Sequence, residues 1–348
     1  MTEVEEKTDI SDEDSATCNI VFGDLENIDI VVTTSKDRID SYLDEKRILI
    51  AEKIGKTVDK IDEETGSVIR MYLMSGKMLR SALAILCYEA SGGKDNDADD
   101  IAAIIELACN VPSLQDDIIK HDYARDIDTG IKSVLNVPGE ILRGNFSFLG
   151  NAFDAIRGSP KAVADGIDIA KVAVGDTIAM IWRGDYVNDS PYISAIKAKP
   201  ALSMAIACRA GAEKAMSEEC VELCHIYGRN LGIAYTVAED LCKILSAIRD
   251  NELNDDLGLA MLYGLDKCGA NVIIGGINQK DIFKEIQKDD NLEEVVTRLN
   301  LAITKYTRNA IKAAKRLPDN QYRDMLVELP EYLFNKLKEE YNVKEMIT

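Results

Sequence analysis

LACNVPSLQDDIIKHDYAR (Leu107–Arg125) reads as a helix whose apolar run turns abruptly to a pair of acids, Asp116 and Asp117. Neighbouring carboxylates repel each other unless they are protonated, solvated or neutralised by a cation, and hard oxygen ligands at this density suit Mg²⁺. Taken alone, the segment is equally compatible with a helix end that emerges into water.

A second segment repeats this design. In GRNLGIAYTVAEDLCKIL (Gly228–Leu245), Glu239 and Asp240 follow a helical stretch of small residues. If the two helices face each other across a cavity, their acids can hold Mg²⁺ ions that grip a diphosphate leaving group and stabilise its developing charge. The two segments together therefore indicate a magnesium-dependent diphosphate site.

The rest of the chain has the spacing of helices. From Ser35 onward apolar residues recur at helical intervals, as in Ile39, Tyr42, Leu43, Ile48, Ile50 and Ile54. Breakers separate the segments at residues 91–93, 157–160, 188–191 and 266–271. The best strand signal, residues 28–33 (IDIVVT), has no partner strand nearby and reads as a short extended arm. These patterns predict an all-α protein with one helical domain, residues 36–348, after an acidic flexible leader, residues 1–35.

The charge of the chain is acidic and unevenly distributed. The formal net charge is -20, and the first 30 residues hold ten acids against one base, Lys7. Such a run stays solvated, so we expect a disordered, solubilising leader. An acidic surface repels the phosphates of nucleic acids, so no nucleic-acid partner is expected. An anionic small substrate would need a local basic pocket or bound cations.

Eight cysteines are scattered through the helical segments, without a secretory signal or a zinc-type CxxC spacing. A reducing, cytoplasmic location fits this pattern. Cys220, Cys224 and His225 form the one local cluster; a fourth metal ligand is missing, so burial between helices is the preferred interpretation. No apolar stretch reaches the roughly 18 residues of a membrane span, so none is expected.

A basic pair stands upstream of the first acids. SGKMLR (Ser75–Arg80) places Lys77 and Arg80 three residues apart on one helical face after a glycine. The pair can clamp a second phosphate group. Basic residues at this spacing are more often a solvated face, so the pair gains meaning only together with the acidic segments.

The ordered set of these motifs resembles the trans-isoprenyl diphosphate synthases of the polyprenyl synthetase family. GKMLRSALAILCYEASGG (76–93) is similar to the family's GKxxRPxL helix, and LQDDII (114–119) to LxHDDxxD. YISAIKAKPAL (192–202) looks like a Y..MI..KTA.L segment, and AYTVAEDLCKI (234–244) like FQIxDDxLD. The resemblance covers roughly residues 37–270.

This resemblance implies an isoprenoid synthase-type bundle of about ten helices around a central cavity, and a Mg²⁺-dependent prenyltransferase reaction. In that reaction an allylic diphosphate ionises, and isopentenyl diphosphate attacks the carbocation. By their match to the motifs, the predicted metal ligands are Asp116, Asp117, Asp122, Glu239 and Asp240. The predicted substrate-binding residues are Lys77, Arg80, Cys109, Arg125, Lys199 and Thr236, of which Arg125 and Lys199 are also the predicted catalytic residues.

Both acidic motifs depart from the family at their last position. Lys120 and Lys243 stand where the family has an aspartate, and each follows an acid by four residues, Asp116 and Glu239 respectively. This acid-first spacing favours an ion pair within a helix, so we expect the motifs to neutralise themselves.

Other departures remove donors that would meet phosphate. Asp126 replaces an arginine, Cys109 a histidine and Thr236 a glutamine of the family pattern. Asp122 offers a substitute ligand in the DDxxxxD spacing that some members use. Pro112 is expected to kink or end the helix ahead of the acids.

The departures leave three hypotheses open. The first is a diverged subunit with weak or no head-to-tail prenyl transfer alone, which pairs with a competent homologue; a homodimer or a heteromer with another isoprenyl diphosphate synthase is then expected. The second is an active prenyltransferase that condenses isopentenyl diphosphate with an allylic diphosphate. The third is a protein that binds prenyl diphosphates without turning them over.

Overall fold

The computed structural model describes residues 35–58, 76–95, 98–103, 105–106, 191–198, 200–253, 257–266 and 279–343. Within these ranges the regular structure is helical and contains no strand, which confirms the all-α prediction. The extended arm predicted at residues 28–33, the leader and the first acidic motif lie outside the described residues.

The helices in the described ranges are α1 (Ser35–Val58), α2 (Leu79–Ala90), α3 (Pro191–Ala198), α4 (Pro200–Lys214), α5 (Glu218–Asp250), α6 (Gly258–Gly264), α7 (Gln279–Ile286), α8 (Asp289–Ala314) and α9 (Gln321–Glu340). Their ends agree with several predicted breakers. Helix α2 ends where Ser91 and Gly92 turn the chain, and α3 begins at Pro191, where a missing N–H costs nothing.

Helix α1 has the predicted apolar face. Ile39, Tyr42, Ile50 and Ile54 are buried, whereas Ile48 is 64% exposed because it lies on the opposite side of the helix. The buried face packs against α2 and α9. Each fully buried isoleucine contributes about 1.5–3 kcal/mol to the stability of this packing.

Helix α5 is the longest in the described part of the chain and runs through its centre. It packs against α4, α8, α9, α3 and α6. Its contact with α4 is close because α5 has glycine where the two backbones meet. A Cβ at Gly228 would lie 2.5 Å from the Met204 carbonyl oxygen, and a Cβ at Gly232 would lie 2.7 Å from the Ala201 Cα. These glycines fix the position of α5, which carries the second acidic motif.

Two hydrophobic clusters lie along α5. One contains the second half of α5, from Ile233 onward, with parts of α3, α6, α7 and α8. The other contains its first half, with parts of α1, α2, α4 and α9. Tyr235 packs against both clusters, so it stands where they meet. The tyrosine is also one helical turn before Glu239, which brings the acidic motif to the edge of the core.

The cysteine cluster takes part in this packing. Cys220 and Cys224 are free thiols buried in the core. No group of three or more potential metal ligands occurs among the described residues. Among the described helices, none combines the length and the apolar character needed to cross a membrane.

Candidate functional site

The described part of the chain holds five of the predicted site residues, namely Lys77, Arg80, Thr236, Glu239 and Asp240. The remaining six, Cys109, Asp116, Asp117, Asp122, Arg125 and Lys199, lie outside the described residues. The geometry therefore concerns the second acidic motif and the basic pair, together with their neighbours.

Glu239 forms the predicted ion pair within the second motif. Its Oε1 lies 3.4 Å from the Lys243 Nζ, and the two side chains are 30% and 24% exposed. The i, i+4 prediction is thus confirmed for this motif, while the corresponding pair of Asp116 and Lys120 lies outside the described residues. A cation already faces the carboxylate that would otherwise attract a metal ion.

Asp240 is engaged by a tyrosine. Its Oδ2 accepts a 2.7 Å hydrogen bond from the hydroxyl of Tyr192, whose ring packs against that of Tyr263 with centroids 5.3 Å apart. Burial raises the pKa of Tyr192 well above its ordinary value, and the charge of Asp240 adds to the effect. The phenol therefore remains a donor that holds the Asp240 carboxylate in place.

Thr236 uses its hydroxyl inside the helix. The Oγ1 donates a 2.9 Å hydrogen bond to the carbonyl oxygen of Gly232, one turn earlier in α5. This bond uses the hydroxyl proton, so Thr236 does not offer that proton to a ligand. Where the family pattern has glutamine, the side chain would carry a longer amide donor on this face of α5.

Lys77 has a carboxylate partner from the far end of the chain. Its Nζ lies 2.5 Å from the Oε2 of Glu340, the last residue of α9, and the phenol of Tyr235 is a second hydrogen-bond partner. Burial lowers the pKa of Lys77, but Glu340 and Tyr235 outweigh burial and raise it above its ordinary value. The ammonium therefore stays charged and is already bound to an anion.

Arg80 lies in the first turn of α2. The next residue, Ser81, links α2 to Glu106. The Ser81 hydroxyl donates a 2.6 Å hydrogen bond to Glu106, and both side chains are buried. Glu106 directly precedes Leu107, where the first motif begins in the sequence. Glu106 is therefore held against α2.

Lys77 and the second motif belong to one electrostatic cluster. Tyr341, just after α9, is the residue that links them: burial raises its pKa, and its charged neighbours are Lys243, Glu239, Glu340 and Lys77. A small cavity of about 110 Å³ lies beside the cluster and is lined by Lys243, Ser246, Ala247, Asp250, Glu252, Leu257 and Tyr341. Two acids and two bases thus face each other where α5 meets the end of α9.

Sequence reasoning missed Tyr341 and three further residues that contact the predicted site residues. Tyr235 could have been found, because it precedes Glu239 by one helical turn and shares its face of α5. Tyr192 lies in a segment that was already compared with the family, but its contact with Asp240 depends on how α3 packs against α5. Glu340 gave no local signal, because it lies 263 residues from Lys77 along the chain.

The acids of the second motif do not by themselves fit a magnesium site. The described residues contain no group of three or more potential ligands, and Glu239 and Asp240 are held by Lys243 and Tyr192. A magnesium site needs oxygen ligands in near-octahedral geometry, so further oxygens would have to come from elsewhere.

Comparison with known proteins gives a consistent result. The family model described as polyprenyl synthetase matches residues 63–257. A short chain isoprenyl diphosphate synthase of Methanothermobacter thermautotrophicus is 29% identical over 206 residues, which are 56% of this chain and 63% of that protein. The chain thus spans less than two thirds of that relative's length. A geranylgeranyl pyrophosphate synthase of Geoglobus acetivorans is 26% identical over 86% of this chain and 99% of its own length.

Solved structures share the fold. The structure of a geranylgeranyl pyrophosphate synthetase from the archaeon Geoglobus acetivorans superposes with a TM-score of 0.64 at 24% identity, over 84% of this chain and 99% of its own. A geranylgeranyl pyrophosphate synthase from Corynebacterium glutamicum, complexed with calcium and isoprenyl diphosphate, gives a TM-score of 0.60 at 17% identity, over 86% of this chain and 98% of its own. With more than half of its sequence matched by the family model, the chain belongs to the polyprenyl synthetase family.

Proposed function

We propose that this chain is a diverged subunit of an isoprenyl diphosphate synthase, with weak or no head-to-tail prenyl transfer alone, which works by pairing with a competent homologue. The observation that carries the proposal is the ion pair between Glu239 and Lys243. A lysine at the last position of the motif replaces a carboxylate of the family pattern, which changes the local charge by two units. The same lysine supplies part of the positive charge that a metal ion would bring.

In this proposal the chain binds a prenyl diphosphate through its own cations. Lys77 and Arg80 donate hydrogen bonds to diphosphate oxygens, as the resemblance implies for this pair. Arg125 and Lys199 take the corresponding roles outside the described residues. Lys243 orients Glu239, and Tyr192 orients Asp240, so both carboxylates keep fixed directions at the edge of the site. The proposed assembly is a homodimer or a heteromer with another isoprenyl diphosphate synthase. The cysteine content supports a reducing, cytoplasmic compartment.

A divalent cation remains part of the proposal only through the first motif. The relative from Corynebacterium glutamicum was solved with calcium and isoprenyl diphosphate, which supports a divalent cation in the proposed site. In this chain Asp116, Asp117 and Asp122 would have to supply most of its ligands. Loss of Mg²⁺ binding after their replacement by asparagine would support this assignment.

The test of the proposal is a prenyl transfer assay with the purified chain. Isopentenyl diphosphate, an allylic diphosphate and Mg²⁺ are supplied, and prenyl product is measured with and without a synthase homologue from the same genome. We expect product near background from the chain alone and an increase in rate or a change in product length when the homologue is added. Robust turnover by the isolated chain would overturn the proposal.

A second candidate function is supported by the retained acids. Glu239, Asp240 and Lys77 all survive in one cluster, and the relatives are named as synthases. If the chain is an active prenyltransferase, turnover by the isolated protein must fall when Asp116 and Glu239 are each replaced by alanine. If it only binds prenyl diphosphates, it binds them with no turnover, and the homologue's addition changes nothing.

A further inference from the structure

The end of α9 reaches Lys77 through an ion pair. Leu333, Phe334 and Leu337 are the last residues of α9 that are buried in the core. Beyond them, Glu339 pairs with Lys36 at 2.8 Å, and Glu340 pairs with Lys77 at 2.5 Å.

Helix α5 holds the residues that follow. Arg249 Nη1 donates hydrogen bonds to the backbone carbonyl oxygens of Tyr341 and Asn342, at 2.9 and 3.0 Å. The last turn of α9 and the two residues after it therefore form a strap, residues 338–342. The strap is held by cations from three parts of the chain and by the partly buried ring of Tyr341, which packs at the edge of the core, whereas the preceding turns of α9 bury side chains in the core.

The strap brings a carboxylate to an ammonium that the proposed function assigns to a diphosphate. An ammonium has three donors, and Glu340 and Tyr235 use two of them. A diphosphate oxygen and the Glu340 carboxylate are both anionic acceptors, so they seek the same charge-assisted hydrogen bonds. Their own charges repel, which disfavours binding of both at once.

We infer that Glu340 is an internal competitor for the Lys77 clamp, and that a diphosphate binds there by displacing the strap. This inference rests on the proposed function, because it takes Lys77 as a diphosphate anchor. The strap is built for local release: the Lys77 and Glu340 side chains are 59% and 46% exposed, and α9 stays anchored by Leu337 and the turns before it. Release therefore breaks exposed ion pairs and the edge contact of Tyr341, and it leaves the buried side chains of α9 in place.

The test measures the binding of inorganic pyrophosphate to the full-length protein by calorimetry, without and with Mg²⁺. Glu340→Gln removes the competing charge and keeps the size of the side chain. Glu328→Gln is the matched control, because it makes the same change in net charge on α9 outside the strap, at a carboxylate that pairs with Arg38 instead of Lys77. We expect pyrophosphate to bind about threefold to fivefold more tightly to Glu340→Gln, and with unchanged affinity to Glu328→Gln.

Hydrogen exchange provides a second measurement, because a change in net charge alone would not alter the exchange of the strap amides. Saturating pyrophosphate should increase the exchange of amides in residues 338–343 of the wild-type protein, while the amides of residues 325–337 stay protected. Equal affinities of the wild type and Glu340→Gln, or an unchanged exchange pattern in the strap, would overturn the inference and leave the proposed function standing. A Lys77→Ala variant that binds pyrophosphate as well as the wild type, or no binding by any variant, would overturn the clamp itself and the inference with it.

Discussion

Lys243 Nζ lies 3.4 Å from Glu239 Oε1, one helical turn along α5, where the family pattern has two carboxylates. The pair is partly shielded, and the cluster that surrounds it also contains Lys77 and Glu340. Lys243 therefore offsets one of the two negative charges of Glu239 and Asp240 before any metal ion arrives. A site of this charge attracts a divalent cation less strongly than one with two unpaired carboxylates.

Removal of this lysine should raise the affinity for magnesium. In Lys243→Ala the Glu239 carboxylate loses its cationic partner and becomes available to a metal ion, and the positive charge that repels the ion is gone. We expect about tenfold tighter Mg²⁺ binding, which is the effect of roughly 1.4 kcal/mol. Calorimetric titration of the purified variants with MgCl₂ measures it directly.

The control for this prediction is Arg298→Ala. Arg298 pairs with Glu294 at 3.3 Å in the same acid-first i, i+4 arrangement, but on the exposed side of α8. The change should leave the Mg²⁺ affinity as it is in the wild type. Equal gains in the two variants would show that overall charge, and not the position of Lys243, sets the affinity.

The contact between Tyr192 and Asp240 predicts sensitivity to alkaline pH. Burial, aided by Asp240, raises the pKa of Tyr192 above its ordinary value of about 10, so the unfolded chain releases this proton first. The contribution of the phenol to stability is therefore complete below about pH 10 and is lost as the pH rises toward the folded-state pKa. Urea unfolding from about pH 8 to about pH 11 should show stability falling with pH, with a shallower slope in Tyr192→Phe.

Tyr322→Phe is the matched control, because it removes a less buried phenol on α9 that is not bonded to the motif. This variant should keep the wild-type dependence on pH. If the slopes of the wild type and Tyr192→Phe are the same, the Tyr192 proton has no part in the alkaline loss of stability.

The sequence predicted the features that depend on neighbours along a helix. The apolar face of α1, the end of α2 at Ser91 and the pair of Glu239 and Lys243 all follow from spacings of a few residues. The repeated helical spacing predicted the all-α class, and the resemblance to the family supplied the arrangement of the helices, which no single spacing specifies. These predictions succeed because i, i+3 and i, i+4 positions meet on any helix, whatever packs against it.

The long-range contacts of the site could not be predicted from the sequence. Glu340 meets Lys77 only because α9 packs along α5 and ends beside it, and no local pattern encodes this. The hydrogen bond of Tyr192 to Asp240 depends in the same way on the approach of α3 to α5. The roles given to Asp116, Asp117, Asp122, Arg125, Lys199 and Cys109 stay predictions, since these residues lie outside the described part of the chain.

The space around two helical glycines predicts opposite effects when each is replaced by alanine. Gly228 lies at the close contact of α4 and α5, whereas Gly55 has open space around it. Gly228→Ala would bring a methyl group to 2.5 Å from the Met204 carbonyl oxygen, so α5 must move or the core must strain. We expect a loss of about 1–3 kcal/mol in the free energy of unfolding, measured with urea. Gly55→Ala in α1 meets nothing within 4 Å and should stabilise the protein by about 0.4–1 kcal/mol. A neutral or stabilising Gly228→Ala would show that α4 and α5 are not in close contact there.

Asn320 carries a further prediction, because it starts the helix that brings Glu340 to Lys77. Its Oδ1 accepts hydrogen bonds from the backbone N–H groups of Tyr322 and Arg323, each at 3.0 Å, and its Nδ2 donates at 3.0 Å to the carbonyl oxygen of Ala90. Asn320→Ser keeps a capping oxygen but cannot reach Ala90, so it should lose about 0.5–1.5 kcal/mol. Asn320→Ala loses both functions and should lose about 1–3 kcal/mol in urea unfolding, with faster hydrogen exchange at the Tyr322 and Arg323 amides. Equal losses in the two variants would mean that the link to α2, and not the cap, is what Asn320 contributes to the stability of α9.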